Sequence, residues 1–391
     1  MFGKLNQELD QIFDEIVQIR RHLHMHPELS FQEVHTAAFI ADYHRELGHD
    51  VRAPVGSRGV VAVLKGTKPG KTVALRADFD ALPIQDEKEV PYKSKVPGVM
   101  HACGHDGHTA ALLGLAKALN RLRDELPGTI VFIHQHAEEL APGGAIEMIR
   151  DGCLEGVDYI FGTHLWSLEP LGKIQYRPGP VMAAADRIEI TIHGQGGHGA
   201  MPHKTKDPVV AASQLVIHLQ QIISRRVNPL KSAVVTISHF EAKSAFNVIP
   251  DSATLIGTVR TFDEEVRKQI EKEIRRIVDG TCLAHGVEAT YHYIRGYPPV
   301  VNHEEETLAV AEIAKHVPGV TEVEYMEPHM GGEDFAYYLQ KVKGAFFFTG
   351  ARNPEWKIAY PHHHAKFDID ERALLIAAKT LGHIALTYVQ K

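Results

Sequence analysis

Residues 72–80 read Thr-Val-Ala-Leu-Arg-Ala-Asp-Phe-Asp, a short apolar run that ends in the two carboxylates Asp78 and Asp80. Residues 73–75 would present apolar side chains on both faces of a strand, and so would the later run 129–133. Strands of this kind are typical of a parallel sheet that helices cover on both sides. The sequence therefore predicts a layered α/β fold with these two runs inside the sheet.

Helical and strand-like patterns alternate through the first 180 residues. The predicted helices lie at about 6–25, 34–47, 108–122 and 144–151, and the predicted strands at 59–65, 72–76, 129–133 and 159–162. Such alternation indicates one α/β domain around a mostly parallel sheet.

The pattern changes between residues 186 and 297, where alternating strands flank two helices in the order β-α-β-β-α-β. This order is typical of the ferredoxin-like α+β arrangement, whose sheet keeps one face open. The first pattern resumes after residue 297, and the late strand at 344–349 is expected to rejoin the first sheet. We therefore predict a discontinuous domain of residues 1–185 and 298–391, interrupted by a smaller domain of residues 186–297. The open face of that smaller domain is either a dimer surface or simply exposed to solvent.

The composition limits the class of protein. The 391 residues carry 42 Lys and Arg against 49 Asp and Glu, a net charge of −7 that argues against a nucleic-acid partner. No apolar run approaches the ~18 residues of a membrane helix, and the first residues lack the apolar core of a signal peptide. Three cysteines are too few for a disulfide framework. These features predict a cytoplasmic protein without a membrane partner.

Metal-ligating residue types follow the predicted strands or open a predicted helix. They are Asp78, Asp80, Cys103, His105, Glu138, Glu139 and His164. Because sites in open α/β sheets lie outside the carboxyl ends of the strands, these residues are expected to converge. A mixed set of Cys, His and carboxylate suits zinc, manganese or a related first-row metal.

The adjacent pair Glu138-Glu139 favours a catalytic metal site over one that only stores metal. One carboxylate can bind an ion while its neighbour exchanges protons with water. Two other interpretations stay open on the residues alone. Cys103 could be a nucleophile with a neighbouring His as base, which would survive chelation. The site could also be the structural metal centre of a binding module, which would bind metal without turnover.

Two further motifs carry histidines. His198 lies in Gly-Gln-Gly-Gly-His-Gly-Ala-Met-Pro (194–202), where it could reach another site or be a satisfied residue of a flexible loop. Residues 360–367, Tyr-Pro-His-His-His-Ala-Lys-Phe, could supply the last metal ligand or be a solvated histidine run.

Together these motifs resemble the M20 family of metallopeptidases and amidohydrolases, specifically its aminoacylase and hippurate hydrolase branch, which includes the indole-acetyl amino acid hydrolases. The resemblance covers essentially the whole chain, through residues 20–32, 76–83, 100–108, 137–139, 197–202, 246–250 and 332–335. It implies a catalytic domain of the phosphorylase/hydrolase-like, Zn-peptidase type with a mostly parallel sheet. It also implies that the inserted α+β ferredoxin-like domain mediates dimerisation.

The resemblance also implies the roles of individual residues. Two divalent metal ions per subunit (Zn, Mn, Co or Ni) would be held by Cys103, His105, Glu139, His164 and His363. His362 and His364 flank the last of these and compete for its role. Glu138 would be the general base and Asp80 a further catalytic residue. His198 would stabilise the oxyanion in the partner subunit's site, and Asn247 and Arg260 would hold the substrate carboxylate. His136 stands where relatives usually carry Pro.

The implied activity is hydrolysis of the amide bond in N-acyl-L-amino acids of the N-acetyl or hippurate type, giving a carboxylic acid and a free amino acid. A dipeptidase or carboxypeptidase on the same scaffold is the alternative. The implied assembly is a homodimer or a dimer of dimers.

Overall fold

A computed structural model describes all 391 residues, and their contacts divide the chain into two compact units. The first comprises Met1–Gly179, Val301–Glu327 and Asp334–Lys391, and the second comprises Pro180–Val300 and Pro328–Glu333. The short stretch 328–333 therefore belongs to the second unit and not, as expected, to the first. Within that unit the backbone N–H of Ala183 donates to the carbonyl oxygens of His329 and Gly331, which holds the stretch in place.

The α-helices are α1 (Phe2–Gln11), α2 (Phe13–Met25), α3 (Val34–Glu46), α4 (His105–Arg121), α5 (Gly144–Arg150), α6 (Pro208–Gln221), α7 (Glu264–His285), α8 (Glu304–Ala314), α9 (Ala336–Leu339) and α10 (Arg372–Tyr388). The first two replace the single helix predicted at 6–25. Ile12 separates them because its φ of −105° and ψ of 12° leave the helical region. None of the helices combines the length and apolar composition that crossing a bilayer requires.

The strands are β1 (Asp50–Val55), β2 (Gly59–Lys65), β3 (Lys68–Asp78), β4 (Pro127–Gln135), β5 (Tyr159–Pro170), β6 (Lys173–Tyr176), β7 (Gly179–Met182), β8 (Ala184–His193), β9 (Gly197–His198), β10 (Ala233–Glu241), β11 (Val248–Ile249), β12 (Ser252–Thr261), β13 (Glu288–Ile294), β14 (Val300–Asn302), β15 (Glu322–Tyr325) and β16 (Lys343–Arg352).

The first unit is built on a mixed eight-stranded sheet in the order β1-β2-β4-β3-β5-β16-β6-β15. Its centre is parallel, since β4, β3, β5 and β16 run in the same direction. The late strand β16 pairs with β5 and so rejoins this sheet, as predicted. Val73, Leu75 and Phe132 are fully buried, which agrees with the predicted cover of helices on both faces. The α/β prediction is therefore confirmed for this unit.

The second unit contains an antiparallel sheet in the order β10-β12-β8-β13. The four strands of this sheet and helices α6 and α7 follow one another along the chain in the predicted order β-α-β-β-α-β. Helices α6 and α7 pack against the sheet through a buried apolar cluster that includes Ile190, Leu215 and Ile274. Asp263 caps α7 by accepting hydrogen bonds from two backbone N–H groups of its first turn.

Candidate metal centre

The candidate site lies at the carboxyl ends of the central strands of the first unit. Asp78 ends β3 opposite Gln135, which ends β4, so the loops that follow both strands leave the sheet side by side. His164 lies inside β5, which continues to Pro170 and does not end near residue 162 as predicted. The strand is longer because β16 pairs along it, with Phe348 opposite His164.

The Cys-Gly-His segment enters α4 through a glycine with a left-handed backbone. Gly104 has φ +93°, a conformation that residues with a Cβ rarely adopt, and His105 is the first residue of the helix. The buried Arg20 fixes this turn by donating from Nε to Asp106 Oδ2 at 2.8 Å. His24 Nδ1 contacts the same oxygen at 2.8 Å. The N-terminal motif of the chain therefore anchors the loop that presents the candidate ligands.

Cys103, His105 and His164 form the first group of candidate ligands, with one ligand atom from each lying within 4.8 Å of the others. His164 Nδ1 donates to the carbonyl of Leu165 at 2.8 Å, and its Nε2 lies 3.4 Å from Cys103 Sγ. His105 Nδ1 contacts Asp80 Oδ1 at 3.1 Å, whereas its buried Nε2 has no hydrogen-bond partner. Imidazoles held at Nδ1 with Nε2 directed into a cluster are the usual arrangement around a metal ion.

Cys103, Glu139 and His363 form the second group, again within 4.8 Å. His363 Nε2 lies 3.2 Å from Glu139 Oε1. The backbone of His363 has φ +65°, and its N–H donates to the carbonyl of Ala102 at 2.8 Å. This strained turn aims the His363 ring at the carboxylate.

The two neighbouring histidines have other partners. His362 Nε2 donates to the carbonyl of Leu165 at 3.0 Å. The His364 ring stacks on Tyr360, with ring centroids 4.5 Å apart. Of the three histidines, His363 is thus the one that approaches Glu139.

His105, Glu138 and Glu139 form a third group within 4.8 Å, so the second carboxylate of the pair is at the site as well. Asp80 connects these residues: its Oδ1 faces His105, and its Oδ2 accepts the N–H of Glu139 at 2.9 Å and the hydroxyl of Ser30 at 2.7 Å. Burial alone would raise the pKa of Asp80, but the hydrogen bond from His105 and these other donors lower it below its usual value. The geometry favours an orienting role for Asp80.

Arg76 and His108 were not among the predicted site residues, although both lie in the quoted motifs. Arg76 Nη1 donates to Asp78 Oδ2 at 2.6 Å, and His108 Nδ1 donates to Asp78 Oδ1 at 2.6 Å. His108 Nε2 in turn accepts the backbone N–H of Leu165 at 2.9 Å. These contacts fix β5 at Leu165, the residue that follows His164. In the sequence, the only indication that Arg76 and His108 belong to the site is their position close to candidate ligands.

The charges of the site favour a bound cation. Although burial opposes the charged form, Asp78, Asp80 and Glu139 raise the pKa of His105 to about 10. Burial and the nearby carboxylates, Glu139 first, raise the pKa of the Cys103 thiol well above its usual value. A nucleophilic cysteine needs a lowered pKa, so these surroundings do not favour Cys103 as a nucleophile. The mixed donor set and the unpartnered His105 Nε2 fit a divalent metal ion.

His136 is buried and faces a serine and a glutamate. Its Nε2 lies 2.8 Å from Ser57 Oγ and 3.2 Å from Glu147 Oε2. Because both partners face the same ring nitrogen, the three residues do not form a catalytic triad, in which serine and carboxylate face opposite nitrogens.

The remaining predicted residues lie in the second unit. His198 and Asn247 are exposed neighbours, because β9 and β11 pair with Val248 opposite His198. The N–H of Gly199 donates to the carbonyl of Asn247 at 2.8 Å, and the N–H of Ala200 donates to His198 Nδ1 at 3.1 Å. The latter bond leaves the ring proton of a neutral His198 on Nε2.

Arg260 lies on β12 of the second unit and is half-buried. Burial lowers the pKa of its guanidinium. A Cβ on Gly332 would lie 3.4 Å from Arg260 Nη1, so this glycine leaves room beside the guanidinium. No hydrogen bond or ion pair engages the guanidinium of Arg260, which is unusual for such a group when it is removed from water.

The sequence has clear relatives. The Bacillus subtilis (strain 168) protein YhaA is 62% identical over 99% of this chain and 98% of its own length. An N-acyl-L-amino acid amidohydrolase of Geobacillus stearothermophilus is 49% identical over 77% of this chain and 82% of its own length. Thermostable carboxypeptidase 2 of Saccharolobus solfataricus is 42% identical over 99% of both chains.

Solved structures agree with these relatives. A structure from methicillin-resistant Staphylococcus aureus has a TM-score of 0.94 and 43% identity over the whole of both chains. A dinuclear metal binding peptidase of the M20 family from Bacillus subtilis has a TM-score of 0.83 and 38% identity, covering 97% of this chain and 99% of its own. Residues 74–387 match the family described as Peptidase family M20/M25/M40. The resemblance drawn from the motifs is thus confirmed, and the chain belongs to the M20/M25/M40 peptidase family.

Proposed function

We propose that this protein hydrolyses the amide bond of N-acyl-L-amino acids to a carboxylic acid and a free amino acid. The observation that carries this function is the adjacent pair Glu138-Glu139, both within 4.8 Å of His105 at a candidate metal centre. Such a pair combines a metal ligand with a second carboxylate that can accept and return protons. The similarity to an N-acyl-L-amino acid amidohydrolase supports the substrate class.

Two divalent ions would be held by Cys103, His105, Glu139, His164 and His363, which form two groups that share Cys103. Thiolate, imidazole and carboxylate together suit zinc, manganese, cobalt or nickel. When bound, such ions polarise the scissile carbonyl and acidify water. The similarity to a dinuclear metal binding peptidase supports two ions per subunit.

Glu138 performs the proton transfers in this proposal. It accepts a proton from the attacking water and returns it to the nitrogen of the departing amine. Its place beside the water depends on the neighbouring Glu139, whose N–H is held by Asp80. Asp80 therefore orients both His105 and the segment that carries the base.

Residues of the second unit would bind the rest of the substrate. Because Ala200 occupies His198 Nδ1, the Nε2–H of His198 is available to donate to the oxyanion of the tetrahedral intermediate. Arg260 is half-buried without a protein partner, and its planar fork matches the substrate carboxylate. Asn247, adjacent to His198, would assist in holding that carboxylate.

We further propose a homodimer, alone or as part of a dimer of dimers, in which His198 serves the site of the partner subunit. His198→Ala and His105→Ala should each be inactive alone. Mixed dimers should recover part of the activity, because one site then combines an intact metal centre with an intact His198. Well-formed mixed dimers without activity would contradict the shared site.

A substrate panel tests the proposed function. The protein is reconstituted separately with zinc, manganese, cobalt and nickel, and hippurate and N-acetyl amino acids are compared with unblocked dipeptides. We expect kcat/KM to be at least about tenfold higher for the acyl substrates, a difference that corresponds to about 1.4 kcal/mol. The alternative, a dipeptidase or carboxypeptidase on the same scaffold, predicts the reverse order. Activity that survives complete chelation would instead favour Cys103 as a nucleophile, and tight metal binding without turnover would favour a binding module.

A further inference from the structure

The segment of residues 28–33, immediately before α3, contacts loops of the candidate metal centre. Leu29 forms an isolated parallel bridge with Ala81, whose N–H donates to the carbonyl of Glu28 at 2.9 Å. Ser30 Oγ donates to Asp80 Oδ2 at 2.7 Å. The segment is thereby fixed against the loop that follows β3.

Glu33, at the end of this segment, contacts the loop that follows β4. Its side chain is fully buried, and its Oε1 accepts the backbone N–H of Ala137 at 2.8 Å. Ala137 has φ +51°, in the left-handed region that residues with a Cβ rarely adopt. Ala137 directly precedes Glu138 and Glu139. Glu33 thus holds the strained residue that immediately precedes Glu138 and Glu139 in the chain.

The rest of this turn is fixed by local contacts. The carbonyl of Ala137 accepts the N–H of Gly144 at 3.1 Å, and Asp80 accepts the N–H of Glu139 at 2.9 Å. Any Cβ on Gly144 would collide with the carbonyl of His136, so only glycine permits this close approach. The N–H of Ala137 is therefore the backbone hydrogen bond of this turn that depends on the segment of residues 28–33, whose Phe31 also contacts the ring of His136.

We propose that Glu33 is a positioning residue that holds Ala137 in the left-handed conformation and so places Glu138 and Glu139 at the metal centre. This inference rests on the proposed function for its kinetic consequence. Without an acceptor, the buried N–H of Ala137 would lose its only partner, and the residue would relax toward negative φ. That rotation would turn the following peptide and displace both carboxylates.

A neutral amide can replace Glu33 in this role. Burial and the nearby Asp80 raise the pKa of Glu33 to about 8, so its protonated form predominates at neutral pH. The second carboxyl oxygen, Oε2, has no hydrogen-bond partner. Glu33→Gln keeps the carbonyl acceptor for Ala137, whereas Glu33→Met fills a similar volume and offers no comparable acceptor.

The test compares Glu33→Met and Glu33→Gln with Gln32→Met, a matched control at the exposed neighbouring position. We expect Glu33→Met to lower kcat at least about tenfold with little change in KM, and to weaken Mn²⁺ binding in calorimetry because Glu139 moves. Glu33→Gln should stay within about threefold of wild type in both measurements, as should the control. Wild-type kcat and Mn²⁺ affinity in Glu33→Met, or equal damage in Glu33→Gln, would overturn the proposal.

Ala137→Gly provides a second background in which to test Glu33→Met. It distinguishes positioning of the turn from general stabilisation, and it keeps the proposal testable if Glu33→Met alone folds poorly. Glycine adopts positive φ without a Cβ penalty, so Ala137→Gly should make the turn less dependent on Glu33. In that background, adding Glu33→Met should reduce kcat and Mn²⁺ affinity much less than it does alone. Equal losses in both backgrounds would contradict positioning. If the wild type hydrolyses no N-acyl amino acid, the proposed function fails, while Mn²⁺ affinities still test the placement of Glu139.

Discussion

Three buried histidines form a hydrogen-bonded chain in the core of the first unit, and we expect them to make the fold acid-sensitive. His44 Nδ1 lies 2.9 Å from His49 Nδ1, and His44 Nε2 lies 2.9 Å from His134 Nε2. The outer nitrogens, His49 Nε2 and His134 Nδ1, are buried without a hydrogen-bond partner. An additional proton on His134 Nδ1 would therefore point at no acceptor, which favours a neutral His134.

The magnitude follows from the pKa values. Burial lowers the pKa of His134 to about 3, and it lowers that of His49 to about 4 against an opposing hydrogen bond with Asn120. Burial, followed by the neighbouring imidazoles, lowers the pKa of His44 well below its usual value. In the unfolded chain all three titrate near 6.5, so below that pH the unfolded state binds more protons and stability falls. Lowering the pH to about 5.5 costs about 1.4 kcal/mol per histidine, or about 4 kcal/mol for the chain.

This loss is large against a typical free energy of unfolding of about 5–15 kcal/mol. Urea unfolding at about pH 7.5 and about pH 5.5 measures it, with metal and salt concentrations held constant. His134→Leu removes one titrating group, so the stability difference between the two pH values should shrink by about 1.4 kcal/mol. His316→Leu is the control, because the His316 side chain is 76% exposed.

Titrating groups that both proteins share, including the candidate metal ligands, contribute equally to the change in unfolding free energy between the two pH values. Their contributions therefore cancel when wild type and His134→Leu are compared. If wild type and His134→Leu lose the same stability between the two pH values, His134 does not fold in a neutral form. The same result would remove the reason for regarding the chain of imidazoles as the acid-sensitive part of the core.

Three further predictions concern catalysis, binding and stability. Glu138→Gln should retain its metal by elemental analysis and lose about 10²–10⁴ in kcat, and wild-type turnover would contradict Glu138 as the base. Arg260→Ala should lower kcat/KM for an N-acetyl amino acid by about 10–100-fold but leave the carboxamide analogue nearly unchanged, whereas equal losses on both substrates would contradict a carboxylate contact. Arg20→Met leaves Asp106 buried without its guanidinium partner, so urea unfolding should show a loss of about 3–5 kcal/mol, and an unchanged midpoint would refute this ion pair as an anchor.

The fold could be predicted where the apolar pattern leaves one physical solution. Residues 73–75 and 129–133 need cover on both faces, so a layered α/β sheet follows from them. The break at Ile12 could not be predicted, because the apolar spacing continues across it. The length of β5 could not be predicted either, since its last residues pair with β16, which lies far along the chain.

The candidate site likewise contains some residues whose positions could be predicted from the sequence and others whose positions could not. Side chains directly after strands converge because the carboxyl ends of parallel strands meet at one edge, and this places Asp80, Glu138 and Glu139 together. The choice among three consecutive histidines depends on a positive φ at His363, which no residue type signals. The contact of Glu33 with Ala137 joins positions 104 residues apart, so no local pattern contains it.

The electrostatics of the centre connect metal binding with the fold around it. Asp78 has Arg76 as a buried partner, whereas His105 is driven toward its charged form by Asp78, Asp80 and Glu139, which lie at or just after the ends of β3 and β4. The same field that retains a proton on His105 would attract a divalent ion to its Nε2, and binding of that ion would displace the proton. Because the loops are fixed by hydrogen bonds within the protein, through residues such as Asp80, the ligands are arranged before an ion arrives. The negative field and the fixed loops therefore meet two requirements of one candidate site: the field favours a cation, and the loops hold Glu138 close to His105 and Glu139.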